Sequence, residues 1–425
     1  MISKEVRKIW EDHEEEFCGL IRIPSVYDES TVSSKMPCGE SVHRAYRYMM
    51  KICADAGLTI REYDNRVFSA SLGEGERVDI ASHLDVVEPG SGWTHDPFGA
   101  DCENGCIYGR GTQDMKSGGW AAFLALLLLK ESKVPVKREF RLVFGTDEER
   151  TMDDMKHYLH KAGRPGFAFS PDCEFPLYYG EKGALMWTLS GRYSGKIKHL
   201  TAGVQCNVVS PHAEAELRDG TFLSREGKAA HASRPEEGES ATVALLKELR
   251  EILPDDNVIT RLYGFFEDAF GQSAGIAKDV SPVGALTMNL GILSITDEGE
   301  LSAQIDVRYP AGVSSDTIFK VFSDCFSDLS PDMPYDDPPT MADPDDPHIK
   351  ALQKAYEEVV GNEPELRISG GVSYAKVFGG NCVTFGPVPE NAEKLAHQRD
   401  EWISVDACLQ ATEIYYKSFL KLNEI

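Results

Sequence analysis

The stretch Val78-Asp79-Ile80-Ala81-Ser82-His83-Leu84-Asp85 decides the fold prediction, because a short, mostly apolar run leads there into two metal-binding residue types. Residues 78–82 are typical of a buried strand that is bounded by the polar residues after it. Imidazole and carboxylate groups are ligands that hold divalent metal ions in proteins. His83 and Asp85 therefore indicate a site at the end of this strand.

The same arrangement recurs at two further strand ends. Residues 140–145 predict a buried strand that leads to Glu148 and Glu149, and residues 166–170 predict a short strand that leads to Asp172. Helical patterns separate these strands, which predicts an α/β fold with a doubly wound, mostly parallel sheet. In such sheets the functional site lies beyond the carboxyl ends of the strands, where these side chains would meet.

The middle of the chain, residues 184–330, has a different pattern. It predicts an inserted α+β (ferredoxin-like) lid domain in which a four-stranded sheet is backed by two helices. The strand-like stretches are 185–191, 206–217, 285–293 and 300–309, and the helices are near 239–252 and 315–327. The Pro/Asp-rich segment 331–347 is interpreted as a connector. The expected organisation is a catalytic domain formed by 1–183 and 331–425, with the lid at 184–330.

The overall composition indicates a globular protein of two domains. Its 425 residues exceed a typical single core, and 44 basic against 69 acidic residues give a net charge of -25. Such a charge disfavours nucleic acid and anionic membranes as partners. The longest apolar run, residues 121–129, is far shorter than the ~20 residues that span a bilayer, and the first residues lack the apolar core of a signal peptide. Together with scattered cysteines, these features predict a cytoplasmic location.

The acidic and histidine residues form a set that could hold two metal ions. Two adjacent cations need a carboxylate between them, and Asp114, in the glycine-rich stretch 109–119, is the candidate for this bridge. The remaining predicted ligands are His83 and Asp172 for one ion and Glu149 and His397 for the other. Asp85 would orient the imidazole of His83. Glu148 is left as a general base that takes a proton from a metal-bound water and returns it to the leaving amine.

Each of these residues also has a plainer explanation. Glu148 and Glu149 beside a predicted helix could simply complement its dipole. His397, taken alone, would more often be an ordinary core or surface histidine than a ligand. His157 and His160 lie on an acidic helix face that we interpret as solvated. The combination of ligand types at three strand ends, rather than any single residue, favours a two-metal hydrolase.

Six motifs occur in a characteristic order along the chain. They are Ser82-His83-Leu84-Asp85-Val86-Val87, Tyr108-Gly109-Arg110-Gly111-Thr112-Gln113-Asp114, Gly145-Thr146-Asp147-Glu148-Glu149, Ser170-Pro171-Asp172, Gly227-Lys228-Ala229-Ala230-His231-Ala232-Ser233-Arg234-Pro235 and Ala396-His397-Gln398. In this order they resemble the dinuclear metallopeptidase and aminoacylase family, which includes acetylornithine deacetylase, succinyl-diaminopimelate desuccinylase and the PepV-type dipeptidases. The resemblance covers nearly the whole chain. The further stretches 93–98, 180–183, 206–209 and 284–289 are most similar to the PepV-type dipeptidases.

The resemblance implies a function and a set of site residues. It implies hydrolysis of the amide bond of dipeptides or short peptides by a metal-bridged hydroxide, with two divalent ions that are zinc or, alternatively, manganese or cobalt. The residues that match the family's metal ligands are His83, Asp114, Glu149, Asp172 and His397. The matching catalytic residues are Asp85, Glu148 and His231, the last of which would stabilise the oxyanion. The matching substrate contacts are Asn207, Arg308 and Gly371, of which Arg308 would clamp the substrate carboxylate.

Two departures from the dipeptidase pattern leave alternatives open. After the bridging aspartate, Met115-Lys116-Ser117-Gly118 is closer to the deacylases and carboxypeptidases, and Val372-Ser373 replaces the usual Gly-Thr. An N-acyl amino acid deacylase with the same two-metal site is therefore an alternative. A metal-binding relative without activity is another, which Glu148 and His231 disfavour. The length of the lid leaves both a monomer and a homodimer open, and in a dimer His231 would serve the other subunit's site.

Overall fold

The computed structural model describes residues 2–425, and helices occur along the whole chain. The α-helices are α1 (Lys4–Ile21), α2 (Glu40–Asp55), α3 (Lys116–Glu131), α4 (Asp153–Ala162), α5 (Ala241–Ile252), α6 (Asn257–Phe266), α7 (Ser315–Cys325), α8 (Pro347–Val360), α9 (Tyr374–Phe378) and α10 (Val405–Leu422). Short 3-10 helices occupy Glu29–Thr31, Pro235–Glu237 and Gly379–Asn381. Over residues 2–425, no helix combines the length and the apolar character that crossing a bilayer requires.

The strands are more numerous than the helices and many are short. They are β1 (Thr59–Tyr63), β2 (Val67–Leu72), β3 (Arg77–His83), β4 (Asp101–Glu103), β5 (Cys106–Tyr108), β6 (Glu139–Gly145), β7 (Phe167–Ser170), β8 (Cys173–Glu174), β9 (Leu177–Glu181), β10 (Gly183–Arg192), β11 (Ile197–Ala202), β12 (His212–Leu217), β13 (Phe222–Glu226), β14 (Asp279–Val280), β15 (Gly284–Ala285), β16 (Thr287–Ile295), β17 (Glu300–Tyr309), β18 (Ser330–Asp337), β19 (Thr340–Met341), β20 (Leu366–Ser369), β21 (Cys382–Thr384), β22 (Pro387–Val388) and β23 (Trp402–Ser404).

The chain forms two compact units. The first comprises the residues up to Gly180 together with Met341–Arg367 and Ser373–Ile425. The second comprises Glu181–Thr340 and the short return segment Ile368–Val372. Each unit has its own sheet and its own core.

The first unit is built around a sheet in which the strand order is β1-β2-β6-β3-β7-β21-β9. The four central strands β6, β3, β7 and β21 are parallel to one another. β1 and β2 on one side, and β9 on the other, pair in the antiparallel sense. The expectation of an α/β fold with a mostly parallel central sheet is confirmed.

Helix α3 shows how the sheet of the first unit is covered. Its residues from Lys116 to Leu129 are all buried, as expected for a helix that is apolar on every side. It packs against α1 and α10 as well as against β3 and β6. An apolar helix therefore covers one face of the parallel strands, in keeping with the mostly apolar character of their sequences.

The second unit contains a seven-stranded antiparallel sheet with the order β13-β12-β11-β16-β17-β10-β18. Helices α5, α6 and α7 contribute to its core. Trp187 of β10 stacks on Phe322 of α7 with ring centroids 4.9 Å apart, and Phe265 of α6 contacts the same ring edge-on. The α+β character expected for this part of the chain is confirmed.

The details predicted for the second unit are wrong in four respects. The sheet has seven strands rather than four, and α6 is a third helix. Only His212–Leu217 of the predicted strand 206–217 is a strand. Ser330–Asp337, interpreted as part of a connector, is the edge strand β18. Its prolines are tolerated because an edge position and the bulge opposite Trp187 do not require every N–H to pair.

Candidate metal centre

Three of the predicted ligands follow neighbouring strands of the first unit. His83 is the last residue of β3, while Glu149 lies in the turn after β6 and Asp172 lies two residues after β7. Because β6, β3 and β7 are adjacent and parallel, their carboxyl ends meet at one edge of the sheet. Helix α3 approaches this edge closely, since a Cβ on Gly118 would lie 2.1 Å from the carbonyl oxygen of Pro171.

Asp114 lies between the two predicted histidine ligands. Its Oδ1 is 3.1 Å from Nε2 of His83, and its Oδ2 is 3.1 Å from Nε2 of His397. Each carboxylate oxygen therefore faces a different imidazole. This is the arrangement that a carboxylate shared by two adjacent cations requires. The peptide bond between Asp114 and Met115 is cis.

A second carboxylate accompanies each histidine. Oδ1 of Asp172 lies 3.9 Å from Nε2 of His83, and Oε2 of Glu149 lies 3.2 Å from Nε2 of His397. The candidate ligands thus form two groups. Within each group the ligand atoms lie within 4.8 Å of one another, and Asp114 belongs to both groups. All five residues predicted as ligands are thus brought together in the first unit.

The donor set fits divalent cations. Imidazole nitrogens and carboxylate oxygens are the ligands found at zinc and manganese sites. Oε1 of Glu149 is buried and, among the described residues, makes no hydrogen bond. A buried carboxylate oxygen without a hydrogen-bond donor costs free energy unless a cation compensates it. The residues present therefore fit a pair of ions bound around Asp114.

The charges of this cluster shift its protonation equilibria. The partial burial of His397 would by itself lower its pKa, but the contacts with Asp114 and Glu149 outweigh that effect and raise the pKa to about 11. Burial also opposes protonation of His83, whereas the hydrogen bond to Asp114 and the charge of Asp172 raise its pKa well above the ordinary value. The carboxylates around both histidines therefore favour the protonated imidazoles through their excess negative charge. Bound cations would neutralise that charge instead.

Asp85 contacts two of the predicted ligands. The backbone carbonyl oxygen of Asp85 is 2.8 Å from Nδ1 of His83, whereas the nearer carboxylate oxygen is 3.6 Å away. The other carboxylate oxygen accepts the backbone N–H of Glu149 at 3.1 Å. The carbonyl of Asp85 thus directs Nε2 of His83 toward the site, and its carboxylate holds the turn that carries Glu149.

Glu148 lies in the turn between β6 and α4, next to the ligand Glu149. Helix α4 begins only at Asp153, so Glu148 and Glu149 do not occupy its first turn. Burial, followed by the charge of Asp172, raises the pKa of Glu148 well above its ordinary value. A carboxylate whose pKa is raised binds a proton more readily, as a general base must.

The loop that carries Asp114 is held by Glu401, which the sequence reasoning missed. The buried carboxylate of Glu401 accepts hydrogen bonds from the side chain of Arg110 and from three backbone N–H groups, those of Gly111, Gln113 and Asp114. Glu401 stands in the charged run Arg399-Asp400-Glu401, which is typical of an exposed segment. No local pattern distinguishes a buried carboxylate in such a run.

The other predicted residues, His231, Asn207, Arg308 and Gly371, belong to the second unit. Nδ1 of His231 accepts the backbone N–H of Ser233 at 3.2 Å and lies 2.8 Å from its hydroxyl. An imidazole nitrogen that accepts a hydrogen bond carries no proton, so the neutral ring has its proton on Nε2. His231 is therefore set up as a hydrogen-bond donor through Nε2.

The backbone of Asn207 runs beside the turn that carries His231. The carbonyl oxygen of Asn207 accepts the N–H of Ala232 at 2.9 Å. The carboxamide of Asn289 donates to the carbonyl oxygens on both sides of Asn207, those of Cys206 and Val208, at 2.9 Å each. Asn289, on β16, thereby fixes the segment that presents Asn207.

Arg308 and the glycine turn are also in contact. Nε and Nη2 of Arg308 donate to the two carboxylate oxygens of Asp306 at 2.8 and 2.7 Å, and Nη1 lies 3.3 Å from the carbonyl oxygen of Gly370. A Cβ on Gly370 would lie 2.6 Å from that of Ser233, so only glycine allows this approach. The N–H of Gly371 bonds to the hydroxyl of Ser369. A continuous series of contacts thus joins Arg308, Gly370, Ser233 and His231.

Known proteins share both the sequence and the fold. Residues 80–421 match the model of the family described as "Peptidase family M20/M25/M40". The chain is 30% identical to the Bacillus subtilis protein described as "Putative dipeptidase YtjP", with 95% of each chain covered. It is 28% identical to a Staphylococcus epidermidis protein described as "Putative dipeptidase", with 96% of each chain covered.

Two solved structures show the same fold at low sequence identity. Human carnosine dipeptidase 1 superposes with a TM-score of 0.66 at 14% identity, and both chains are fully covered. The dipeptidase Dug1p from Saccharomyces cerevisiae superposes with a TM-score of 0.65 at 12% identity, with 99% of this chain and 98% of that chain covered. The family match over most of the chain, with the near full-length relatives, shows that the chain is a metallopeptidase and belongs to peptidase family M20/M25/M40.

Proposed function

We propose that this chain hydrolyses the amide bond of dipeptides or short peptides with two divalent metal ions. The observation that carries the proposal is the position of Asp114, with one carboxylate oxygen facing His83 and the other facing His397. Relatives described as dipeptidases over nearly the full length support peptides as the substrate class. His83, Asp114 and Asp172 would hold one ion, and Asp114, Glu149 and His397 the other.

Glu148 is the proposed proton-transfer group. When bound, the two ions polarise the carbonyl of the scissile bond and lower the pKa of a water molecule. Glu148 takes the proton of the attacking water and passes it to the leaving amine. The raised pKa of Glu148, which results from burial and from the charge of Asp172, supports this role.

The second unit supplies the remaining proposed contacts. Nε2–H of His231 donates to the oxyanion, in keeping with the hydrogen bond that Nδ1 accepts from Ser233. Arg308 binds the carboxylate of the peptide through the N–H groups that Asp306 and Gly370 do not engage. Asn207 is the proposed residue near the scissile carbonyl, and Gly371 belongs to the proposed backbone turn beside the substrate carboxylate.

Removal of an acyl group from an N-acyl amino acid is the second candidate function. One observation favours it: the residues after the bridging aspartate are Met115-Lys116-Ser117-Gly118, which resembles the deacylases. The same two-metal chemistry would serve either substrate, because both have an amide carbonyl next to a carboxylate-bearing residue. Zinc is the proposed metal, with manganese and cobalt as alternatives, and the proposed location is the cytoplasm.

Metal content and hydrolysis, measured together, test the proposal. The chain is stripped of metal, reconstituted with Zn²⁺ or Mn²⁺ and assayed on a panel of dipeptides and N-acetyl amino acids by release of primary amine. We expect two ions per chain and hydrolysis of dipeptides. Hydrolysis of N-acetyl amino acids alone would move the assignment to a deacylase, and two bound ions without hydrolysis of either class would contradict both.

The adjacent glutamates provide a matched pair of variants. Glu148→Gln should retain both ions and lose about 10²–10⁴-fold in kcat, the usual contribution of a general acid–base group. Glu149→Gln, the same chemical change one residue away, should instead lose an ion. If Glu148→Gln keeps wild-type turnover, or if it releases the metals, Glu148 is not the proton-transfer group.

A further inference from the structure

The segment that carries His397 and the loop that carries Asp114 are joined by a dense set of hydrogen bonds. Glu401, four residues after His397, provides the centre of this set and is fully buried. Its Oε2 accepts Nη1–H of Arg110 at 2.6 Å and the N–H of Gly111 at 3.2 Å. Its Oε1 accepts the N–H of Gln113 at 2.7 Å and that of Asp114 itself at 3.2 Å.

Both oxygens of Glu401 are thus saturated by donors from one loop. Hydrogen bonds to a charged carboxylate are stronger than those to a neutral acceptor. The carbonyl oxygen of Glu401 adds a further bond, from the N–H of Gly109 at 2.8 Å. The loop Gly109–Asp114 is therefore wrapped around Glu401, and its conformation depends on that side chain.

Gln113 links the same two segments in the opposite direction. Its side-chain amide donates to the carbonyl oxygens of Glu393 and Trp402 at 3.0 and 2.8 Å. Its side-chain carbonyl accepts the N–H of Leu395 at 2.9 Å. Residues 393–402, which include His397, are consequently fixed to the residue that immediately precedes Asp114.

The link matters because of what its two ends carry. Asp114 belongs to both candidate ligand groups, whereas His397 belongs to one of them. A displacement of the segment 393–402 would move His397 and, through Glu401, the backbone of Asp114 as well. His397 itself is about half exposed, with a side-chain exposure of 52%, so packing around its ring does little to hold it.

We propose that Glu401 is a positioning residue that couples the two metal positions, so that an ion bound at the His397 position organises Asp114 for the ion at the His83 position. The proposal rests on the pair of metal positions in the proposed function. Glu401 touches neither substrate nor metal in this scheme. It acts through the backbone of Asp114 and through the chain that leads to His397.

Cobalt titration of the metal-free chain tests this coupling. Co²⁺ is added to the wild type and to Glu401→Gln, and binding is followed by its visible absorption and by competition with a coloured chelator. We expect both ions to enter the wild type in one steep transition. In Glu401→Gln, the NH₂ of the amide would face backbone N–H donors in place of an acceptor oxygen. The affinity for Co²⁺ should therefore fall by about 10–100-fold, and the two binding steps should separate.

Asp400→Asn is the matched control. Asp400 is the neighbouring carboxylate on the same segment, and its Oδ1 accepts the N–H groups of Thr94 and His95 at 2.7 and 3.2 Å. Among the described residues, the hydrogen bonds of Asp400 go to Thr94 and His95 and not to the loop Gly109–Asp114, so Asp400→Asn should leave the steep transition and the Co²⁺ spectrum unchanged. Equal losses in Asp400→Asn and Glu401→Gln would overturn the proposal, since any disturbance of the segment would then suffice.

Thermal unfolding of the metal-free proteins separates coupling from a loss of folding. If Glu401→Gln does not fold, Glu401→Asp replaces it, since it retains the charge beside Arg110 but is one methylene too short to keep every N–H contact. Binding of two ions with wild-type affinity and steepness by a folded Glu401 variant would overturn the proposal. A wild type that binds no Co²⁺ would instead contradict the proposed function, so the two failures are distinguishable.

Discussion

The candidate metal ligands and the candidate substrate contacts are held in place by different means. His83, Glu149 and Asp172 follow adjacent parallel strands, and buried carboxylates such as Glu401 fix the loops between them. His231 stands on an exposed turn of the second unit, where the N–H of Ser233 and a bridge to Val208 hold it. The first set is defined by the sheet, and the second by local hydrogen bonds on an antiparallel scaffold.

Because the two sets of residues are held differently, substitutions in each set should change a different measured quantity. Substitutions among the ligands of the first unit should change how much metal is bound, because the candidate ligand atoms of each group lie within 4.8 Å of one another. Substitutions among the contacts of the second unit should change kinetic constants and leave the metal content intact. The following variants test that division.

Asp114→Asn should have the largest effect. It removes the charge that both groups of ligands share, so both ions should bind more weakly and turnover should fall by about 1000-fold or more, since metal polarisation is worth several kcal/mol. The measurement is metal content by atomic absorption together with kcat on a dipeptide. A chain that keeps both ions with Asn at this position would show that Asp114 is not the shared ligand.

His231→Ala should lower kcat by about 10²–10³-fold, the usual cost of losing an oxyanion donor. Metal content should stay at the wild-type value, because His231 belongs to the second unit and to neither ligand group. Ser233→Ala is a graded companion that removes the hydroxyl beside Nδ1 but keeps the backbone N–H, and it should have a smaller effect. Loss of metal from His231→Ala would break the division between the two regions.

Arg308→Lys should have the smallest effect of the three and should appear mainly in KM. A lysine keeps the charge but cannot reproduce the two-oxygen contact with a carboxylate, so KM should rise by about tenfold. Dipeptide amides, which lack the carboxylate, should bind the wild type and the variant alike. An equal loss for dipeptides and their amides would show that Arg308 serves the fold through Asp306 rather than the substrate.

The sequence predicted the ligand-bearing strands of the first unit well. β3, β6 and β7 are short, mostly apolar runs that are soon followed by polar side chains, and such local patterns identify both the strand and its end. The motif resemblance to the dinuclear metallopeptidase family is confirmed, as is the α/β fold class with an α+β second unit.

Other features could not be read from the sequence because they depend on contacts between distant segments. Glu401 is buried only because the loop Gly109–Asp114 folds around it, more than 280 residues away along the chain. Ser233 matters to His231 through a turn that has no distinctive composition. β18 was missed because prolines normally argue against a strand, and only its edge position and its bulge accommodate them.

The edge position of β18 also has a consequence for aggregation. An outermost strand ordinarily presents a row of N–H and C=O groups that another chain can pair with, which makes it a site for uncontrolled sheet growth. In β18 the two prolines, Pro331 and Pro334, remove donors from that row, and Asp332 adds a charge between them. The prolines and acidic residues that argued against a strand in the sequence thus protect the folded chain against edge-to-edge association.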